Sequence, residues 1–482
     1  MIRSYLLLFF LLMPFSSISK VSGYAPINMN PQLEMQIDAL MLIANQASVI
    51  KPISISNVQK AFNAICKKEN IYRFCQPISQ WLNKKSNSKL SASGSLELRA
   101  NHGNTLSPIA NKRGVIKDSS YISDMNFQWQ SNDYLAVNVG GLFWYEGDKS
   151  EYNFENTYIS IGQDWAQLDL GYKPIWLSPF KDSAMILSTN APSLATISLS
   201  NSESLTPLNI KYNFFVGELS SSDRIYYNGE YITGRPLLTG VHLSIKPFDG
   251  FTLGVNRLLQ SGGGERGGRG FSDFLKAFFD PNGADNTNDN LTRDEQFGNQ
   301  TASFIARIDV VEQTPFSIYM EYAGEDTSDA SSWRLGNSSL SIGLDLPIIF
   351  EHFSFNFEWS DWQNGWYVHS VYQDGLTNEG HLIGHWAAAE RAYGSSFAGS
   401  GVGSTVVNLS LGYTPSESTH YQFKYKQIDN QNYYNSAIYS TFRELTVDAY
   451  MQLYNQDIKL SVTHSTSVLN RSYTGVSIGV YF

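Results

Sequence analysis

The densest group of residues with recognition chemistry lies between positions 359 and 393. Its aromatic, acidic and basic members are Trp359, Trp362, Trp366, Tyr367, His369, Tyr372, Asp374, His381, His385, Trp386 and Arg391. Aromatic faces stack on the C–H surfaces of sugars, and carboxylate, imidazole and guanidinium groups bond to hydroxyls or acids. The segment is therefore a candidate glycan site. An aromatic girdle at a membrane interface is the alternative, and it accounts for Trp359 and some neighbours.

A second candidate is the stretch GGGERGGRG at 262–270. Its Arg266 and Arg269 would face solvent or a lumen, where they could meet an anionic group of a glycan. An apolar stretch with helical spacing follows, consisting of Phe271, Phe274, Leu275, Phe278 and Phe279. This stretch could fold inward and plug the mouth of a barrel, and a disordered surface loop is the alternative.

The run that follows has oxygens suited to Ca²⁺, from Asp280, Asn282, Asp285, Asn288 and Asp289. It lacks the EF-hand spacing, which favours a solvated turn. Other motif matches also lack their context: residues 475–479 match G-x-S-x-G, but within an unbroken strand, and 262–267 match G-x-G-x-x-G outside a βαβ unit. The adjacent Glu325 and Asp326 point to opposite faces of a strand. The sequence predicts no catalytic residue, metal site or cofactor.

In the segments that flank these residues, apolar and polar side chains alternate with a period of two residues, as in β-strands. The last strand carries Thr474, Val476, Ile478, Val480 and Phe482 on one side. Segments of this kind start near residues 89, 121, 134, 154, 165, 193, 207, 235, 251, 300, 315, 337, 352, 403, 419, 437, 457 and 471. The pattern predicts an all-β transmembrane barrel of about 18 antiparallel strands over 89–482, with a large soluble β-sandwich or propeller as the alternative.

The connections between these strands alternate in length. Tight turns fall at 130–133, 246–250, 413–418 and 455–456, and long segments at 102–120, 220–233, 260–299, 325–335 and 362–402. This asymmetry is typical of barrels with short periplasmic turns and long loops at the cell surface. The terminal Phe482 resembles the assembly signal of bacterial outer-membrane barrels. A closed barrel would pair this last strand with the first one, which removes the exposed edge.

The region before the barrel does not show this strand pattern. Residues 1–23 have the positive start, apolar core and small residues of a signal peptide, with cleavage expected after Gly23, and a membrane anchor is the alternative. Residues 24–88 show helical spacing, with Ser56 as an expected N-cap, and predict a small periplasmic bundle of three helices. In an exported protein, Cys66 and Cys75 most simply form one disulfide, and a metal site is the less favoured alternative.

The composition agrees with a membrane barrel. Aromatic residues make up 14% of the chain and charged residues 16%, against about 25% charged in typical soluble proteins. Mean hydropathy is −0.24, as expected where lipid-facing and lumen-facing residues alternate. The formal net charge of −10 argues against nucleic-acid binding.

Four stretches together resemble the Wzi family of capsule-assembly outer-membrane barrels, namely 183–200, 298–309, 319–326 and 371–386. The resemblance covers nearly the whole mature chain and implies 18 strands, a periplasmic helical bundle and a plugged lumen. It also implies a lectin-like role, in which capsular polysaccharide or a related exopolysaccharide is held at the cell surface. The segment near 174–180 and the residues after His385 depart from the family pattern, which leaves the glycan's identity open.

The leading hypothesis is therefore a non-enzymatic outer-membrane protein that binds capsular or exopolysaccharide. A porin or sugar channel is the alternative, and an outer-membrane enzyme is the least favoured. The expected partners are the polysaccharide, outer-membrane lipid, the barrel-assembly machinery and a polysaccharide export protein. The helices before the barrel could plug its periplasmic end or dock a secretion partner.

Overall fold

The computed structural model describes most of the chain from Lys20 to Phe482. The described residues are 20–27, 29–67, 72–86, 90–103, 107–268, 270–281, 291–328, 331–389, 402–431, 439–454 and 456–482. Several predictions therefore lie outside them: most of the signal peptide, Arg269, Arg391 and the four suggested calcium ligands from Asn282 to Asp289.

Among the described residues, three α-helices precede the barrel and a fourth lies in a long connection: α1 Pro31–Ile43, α2 Ile55–Ile65, α3 Cys75–Ser86 and α4 Phe271–Phe279. The strands are β1 Leu90–His102, β2 Tyr121–Asn132, β3 Leu135–Glu146, β4 Lys149–Asn153, β5 Thr157–Gln163, β6 Ala166–Tyr172, β7 Thr196–Ser200, β8 Lys211–Glu218, β9 Ser222–Tyr227, β10 Glu230–Gly234, β11 Leu237–Phe248, β12 Phe251–Ser261, β13 Gly298–Val310, β14 Phe316–Ser328, β15 Ser331–Ile349, β16 Phe353–Trp362, β17 Thr377–Asn378, β18 His381–Leu382, β19 Ser404–Ser416, β20 Thr419–Asn430, β21 Phe442–Leu453, β22 Gln456–Thr466 and β23 Ser472–Tyr481. In the described part of the chain, no helix is both long and apolar enough to cross a membrane.

The strands close into an antiparallel barrel of 18, as the sequence predicts. The first strand, β1, pairs with the last, β23, from Ser95 opposite Tyr481 to His102 opposite Thr474. Both β4 and β5 pair with β3, so they form one interrupted strand of the wall. The hairpins β9–β10 and β17–β18 lie outside the barrel sheet. Backbone hydrogen bonds between Gly94 and Phe482 complete the closure at the end of the chain.

Most strands begin within three residues of the predicted positions. The largest difference is at β15, which begins at Ser331 where the sequence suggests about 337. Its first residues, SSWRLG, offer only Trp333 and Leu335 as large apolar residues, which is too short an alternation to mark a strand, but the segment still pairs with β14 up to Ser328. The hydrogen-bonded hairpin therefore extends beyond the part of the strand that the apolar pattern reveals.

The even strand count brings the beginning of β1 and the end of β23 to the same end of the barrel. We call this the helix end, because α1 packs there against β15 and α3 against β1. The opposite end, the loop end, carries the long connections, including those at 103–120, 219–236 and 262–297. Outward-facing side chains around the wall are exposed and apolar, for example Phe127, Val139, Ile197, Phe304, Val462 and Ile478. Inward-facing residues of the same strands are mostly polar.

The three first helices form a small bundle around Leu40, Val58 and Ile78, all fully buried. The predicted N-cap of α2, Ser56, is wrong: the helix begins two residues earlier, and Ser54 Oγ accepts the capping hydrogen bond from the Asn57 amide at 3.3 Å. Ser54 also reaches the barrel by donating to the Ser202 carbonyl, which fixes the start of the helix. The disulfide Cys66–Cys75 joins α2 to α3, with the Cα atoms 5.6 Å apart.

The residues just before the helices pack against the barrel wall, which bears on where a signal peptide would be cut. Val21 donates its amide to the Asp133 carbonyl at 2.7 Å, and Ser22 donates its amide to Gln167 Oε1 at 3.0 Å. Both side chains are buried. Cleavage after Gly23 would remove these contacts.

We therefore expect cleavage after Ser19, where Ser17 and Ser19 supply the small residues that signal peptidase needs. Intact-mass measurement and N-terminal sequencing of the protein from outer membranes should give a mature chain that begins at Lys20. A chain beginning at Tyr24 would contradict this expectation.

Candidate functional site

Two long connections fold into the barrel instead of outward, and we call them the inner segments. The first, 173–195, joins β6 to β7, and the second, 363–389, follows β16. They hydrogen-bond to each other, since the Ser188 amide donates to the Ile383 carbonyl at 2.8 Å and Asn190 Nδ2 to the Leu382 carbonyl at 3.0 Å. Their apolar side chains form one buried cluster with inward residues of the wall. The middle of the lumen is therefore filled by the chain's own segments.

The first inner segment reaches the helices at the other end of the barrel. Lys51, just before α2, forms a two-way backbone bridge with Trp176, at 2.9 and 3.0 Å. Its ammonium pairs with Glu34 at 2.5 Å and with Asp38 at 3.7 Å. Burial alone would lower the pKa of Lys51, but these two carboxylates raise it above its ordinary value. The helices and the inner segment are thus joined by backbone and by charge.

The wall also holds the first inner segment through two inward carboxylates. Glu358 accepts the Lys181 and Asp182 amides at 2.6 and 3.1 Å, and Glu321 accepts the Ser178 hydroxyl at 2.9 Å. These carboxylates serve as acceptors for buried backbone and hydroxyl groups that would otherwise lack partners.

The second inner segment contains most of the predicted glycan residues, and Trp362 ends β16 just before it. Most of these candidates are buried, namely Trp362, Trp366, Tyr367, His369, Tyr372 and His385. Several of their polar atoms bond to protein: Trp362 Nε1 donates to the Val402 carbonyl and the Tyr372 hydroxyl to the Gly262 carbonyl, both at 3.0 Å. The Tyr367 hydroxyl donates to the Met185 carbonyl and accepts the His385 amide at 2.9 Å. In this structure these rings pack the lumen instead of offering open faces to a sugar.

The histidines of this segment are held neutral by their surroundings. Burial, followed by the Lys426 ammonium, lowers the pKa of His385 to about 3. Burial and the charges of Arg266 and Arg293 lower the pKa of His369 to about 3. Burial also lowers the pKa of His381, which is only partly covered and lies against Gly114. An uncharged imidazole is compatible with packing in the lumen.

Arg266 also differs from the expectation of a solvent-facing cation. Its side chain is fully buried, and its guanidinium donates to the carbonyls of Gln296 at 2.7 Å and Arg293 at 3.1 Å. It therefore ties the two ends of the 262–297 connection together. The apolar helix of the same connection, α4, which the sequence suggests as a plug for the mouth, packs instead on the outside of the wall against Leu259.

An accessible cavity at the loop end brings together residues that the sequence only partly identifies. It has a volume of about 230 Å³ and lies between the connection after β8 and the second inner segment. Its main polar lining residues are Ser220, Ser221, Ser222, Gln260, Tyr372, Asp374 and Thr377. The volume is several times the roughly 30 Å³ share of one water molecule, so a ring-sized polar group can enter.

Asp374 is the charged centre of this cavity. One carboxylate oxygen accepts the Ser222 hydroxyl at 2.6 Å, and the other pairs with Arg224 Nη1 at 3.3 Å. Its side chain remains 35% exposed, so it has acceptor capacity for a further hydroxyl. Opposite it, Gln260 Nε2 donates to the Gly375 carbonyl at 3.2 Å. Hydroxyls, an amide and one carboxylate in a small concave site are suited to a ligand rich in hydroxyl groups.

In the part of the chain that the structure describes, no group of three or more His, Cys, Asp or Glu side chains is arranged to hold a metal ion. The proposed calcium run lies mostly outside this part of the chain.

Comparison with known proteins identifies the family. The family model described as "Capsule assembly protein Wzi" matches residues 86–470. The chain belongs to the Wzi family. Its fold is similar to that of Escherichia coli Wzi, described as an outer-membrane, carbohydrate-binding β-barrel involved in group 1 capsule assembly. That match has a TM-score of 0.68 and 14% identity, and covers 93% of this chain and 97% of the other. No curated protein sequence matches.

Structures of other barrels are less similar. Acinetobacter baumannii OccAB4 has a TM-score of 0.47 at 9% identity, covering 82% of this chain and 98% of its own. Pseudomonas aeruginosa OccK11 (OpdR) has a TM-score of 0.47 at 11% identity, covering 82% and 95%. The Wzi family match itself includes both inner segments and the cavity around Asp374, whereas the helices α1–α3 lie before it or only touch its start.

Proposed function

We propose that this protein is a non-enzymatic outer-membrane barrel that binds capsular polysaccharide or a related exopolysaccharide and holds it at the cell surface. The observation that carries the proposal is the polar cavity around Asp374 at the loop end of a Wzi-family barrel. Membership of the family and the carbohydrate binding described for E. coli Wzi support the choice of ligand class. The accessible candidates for glycan contact are Asp374 and His381, together with Ser220 and Ser222.

The surface of the barrel supports a location in the outer membrane, and we propose an orientation for its two ends. The exposed apolar side chains that circle the wall favour lipid contact, because water would make such a surface unfavourable. We place the helices α1–α3 in the periplasm and the long connections at the cell surface. The helix end then faces the compartment from which the barrel-assembly machinery acts on the closing strand near Phe482. It is also the side on which we expect a polysaccharide export protein to meet the bundle.

The filled lumen favours retention of a polymer over transport. Both inner segments are packed in the barrel and bonded to the wall, to the helices and to each other. The interior carboxylates Glu321 and Glu358 accept structural hydrogen bonds, which supports a holding role for them instead of acid–base catalysis. A channel function would require both inner segments to move out of the lumen.

Binding of the purified protein to a panel of capsular and exopolysaccharides tests the proposal, with Asp374→Ala as the site variant. Loss of a charged acceptor is worth about 1.5–3 kcal/mol, so we expect affinity for the recognised polymer to fall roughly tenfold or more. Glu230→Ala, at the exposed tip of the β9–β10 hairpin, is the matched control and should bind normally.

Deletion of the gene should release polymer into the medium while its synthesis continues. Unchanged retention of polymer by the deleted strain, or a steady single-channel conductance of the unmodified protein in planar bilayers, would contradict the proposed function.

A further inference from the structure

The helix α4 lies against the outer surface of the barrel near the loop end. In the register of β12 and β13, the outward pairs are Leu253 with Ala306, Val255 with Phe304, Arg257 with Ala302 and Leu259 with Gln300. The lower pairs are exposed, and Val255 and Phe304 have 40% and 50% of their surface accessible. The upper residue Leu259 is buried, together with Ala277 of α4 and Phe297. The helix therefore begins to cover the wall where the exposed apolar band ends.

The helix also accepts a hydrogen bond from Arg257, a polar residue that points outward from the wall and pairs with its outward-facing neighbour Gln300. Arg257 Nη2 donates to the Ala277 carbonyl at 2.9 Å and to Gln300 Oε1 at 2.5 Å. The guanidinium lies 5.9 Å from the centre of the Phe278 ring. An arginine and a glutamine on a lipid-facing wall are costly without partners. Since strand residues rise about 3.4 Å each, Arg257 stands only about 7 Å above the exposed Val255, and Gln300 stands about 14 Å above the exposed Phe304.

The side chains of α4 fall into three sectors around its axis. Phe274, Ala277 and Phe278 pack against the wall. On the polar side, Ser272, Asp273 and Lys276 are exposed. Between these sectors, Leu275 and Phe279 are apolar yet 38% and 68% exposed. At 100° per residue, the apolar arc is wider than the wall can cover, which is typical of a helix lying in a membrane interface.

We propose that α4 is an interfacial helix whose Leu275 and Phe279 enter the boundary between headgroups and acyl chains of the surrounding membrane. The occupant of this surface is lipid, because the exposed pair continues the apolar band of the barrel and the opposite face of the helix is polar. This inference rests on the membrane location proposed above. The connection 262–297 thereby anchors the loop end to the membrane surface beside the cavity.

Site-directed spin labelling tests the proposal in the full-length protein reconstituted in phosphatidylcholine vesicles. The described residues contain no free cysteine, so a single introduced cysteine carries the nitroxide. Leu275→Cys and Phe279→Cys are the test positions, Asp273→Cys on the far side of the same helix is the aqueous control, and Phe304→Cys on the wall is the lipid reference. We expect labels at 275 and 279 to collide more with oxygen than with a water-soluble nickel chelate, as at 304, and the label at 273 to show the reverse.

Aqueous accessibility at 275 and 279, with lipid-like accessibility at 304, would overturn the role of α4 and leave the membrane barrel intact. Aqueous accessibility at 304 as well would overturn the membrane location on which both proposals depend.

Discussion

Replacing Arg113 with methionine should destabilise the protein by about 3–5 kcal/mol, the cost of leaving one member of a buried ion pair without its partner. Arg113 Nε lies 2.5 Å from Glu155 Oε2, and both side chains are completely buried. Glu155 also accepts the amide and the hydroxyl of Ser193, each at 2.7 Å. Three connections meet at this carboxylate: 103–120, the break between β4 and β5, and the first inner segment. The variant should therefore remove the ion pair and also loosen the packing of the lumen.

Guanidinium unfolding of the reconstituted protein, followed by tryptophan fluorescence, measures this effect. The control is Asp133→Ala, which removes an ion pair with Lys20 at 2.8 Å whose side chains are 60% and 42% exposed, and should cost less than about 1 kcal/mol. Adding Glu155→Gln to the Arg113→Met variant should recover part of the stability, because the amide keeps an acceptor for Ser193 without a buried charge. Equal losses of unfolding free energy in the Arg113 variant and the control would show that the buried ion pair contributes no more to stability than the exposed one.

The barrel itself could be predicted from the sequence because each wall strand carries its own signal. Alternation with period two needs only neighbouring residues, and the pairing of β1 with β23 follows from an even count and closure. The disulfide and the three early helices were predicted on similarly local grounds. Where the alternation of apolar residues is short, as at the start of β15, the sequence places the beginning of the strand too late.

The interior could not be predicted in the same way. Aromatic and histidine residues in a long connection have the same types whether they face a sugar or fill a lumen. Small residues are a local sign that the connection packs tightly inside the lumen. A Cβ on Gly384 would lie 2.5 Å from Tyr367 Cε1, so this glycine permits close packing. The site around Asp374 also depends on Ser222, about 150 positions earlier in the chain, and a single sequence does not reveal such a contact. For α4, the helical spacing was visible, but its side of the wall depends on Arg257 and Gln300.

Acid should destabilise the packed lumen through its buried histidines. His385 and His369 are neutral in the folded protein, since burial lowers the pKa of each to about 3. In the unfolded chain they take up protons near pH 6.5. The unfolded state therefore binds more protons as the pH falls below 6.5, and stability falls with it until the folded pKa is reached. At pH 5, each histidine should cost about 2 kcal/mol relative to pH 7.5.

The variant His385→Asn separates this effect from packing. The histidine Nδ1 accepts the Ala387 amide at 3.2 Å, and an asparagine carbonyl can take over that role without titrating. The variant loses ring contacts with Trp362 and Trp386 at all pH values, so the informative quantity is the difference in unfolding free energy between pH 7.5 and pH 5. That difference should shrink by about 2 kcal/mol, whereas the same change at the exposed His464 should leave it unaltered. An undiminished difference in the His385 variant would mean that its imidazole gains access to protons without any opening of the lumen, and that the second inner segment is less tightly packed than its contacts indicate.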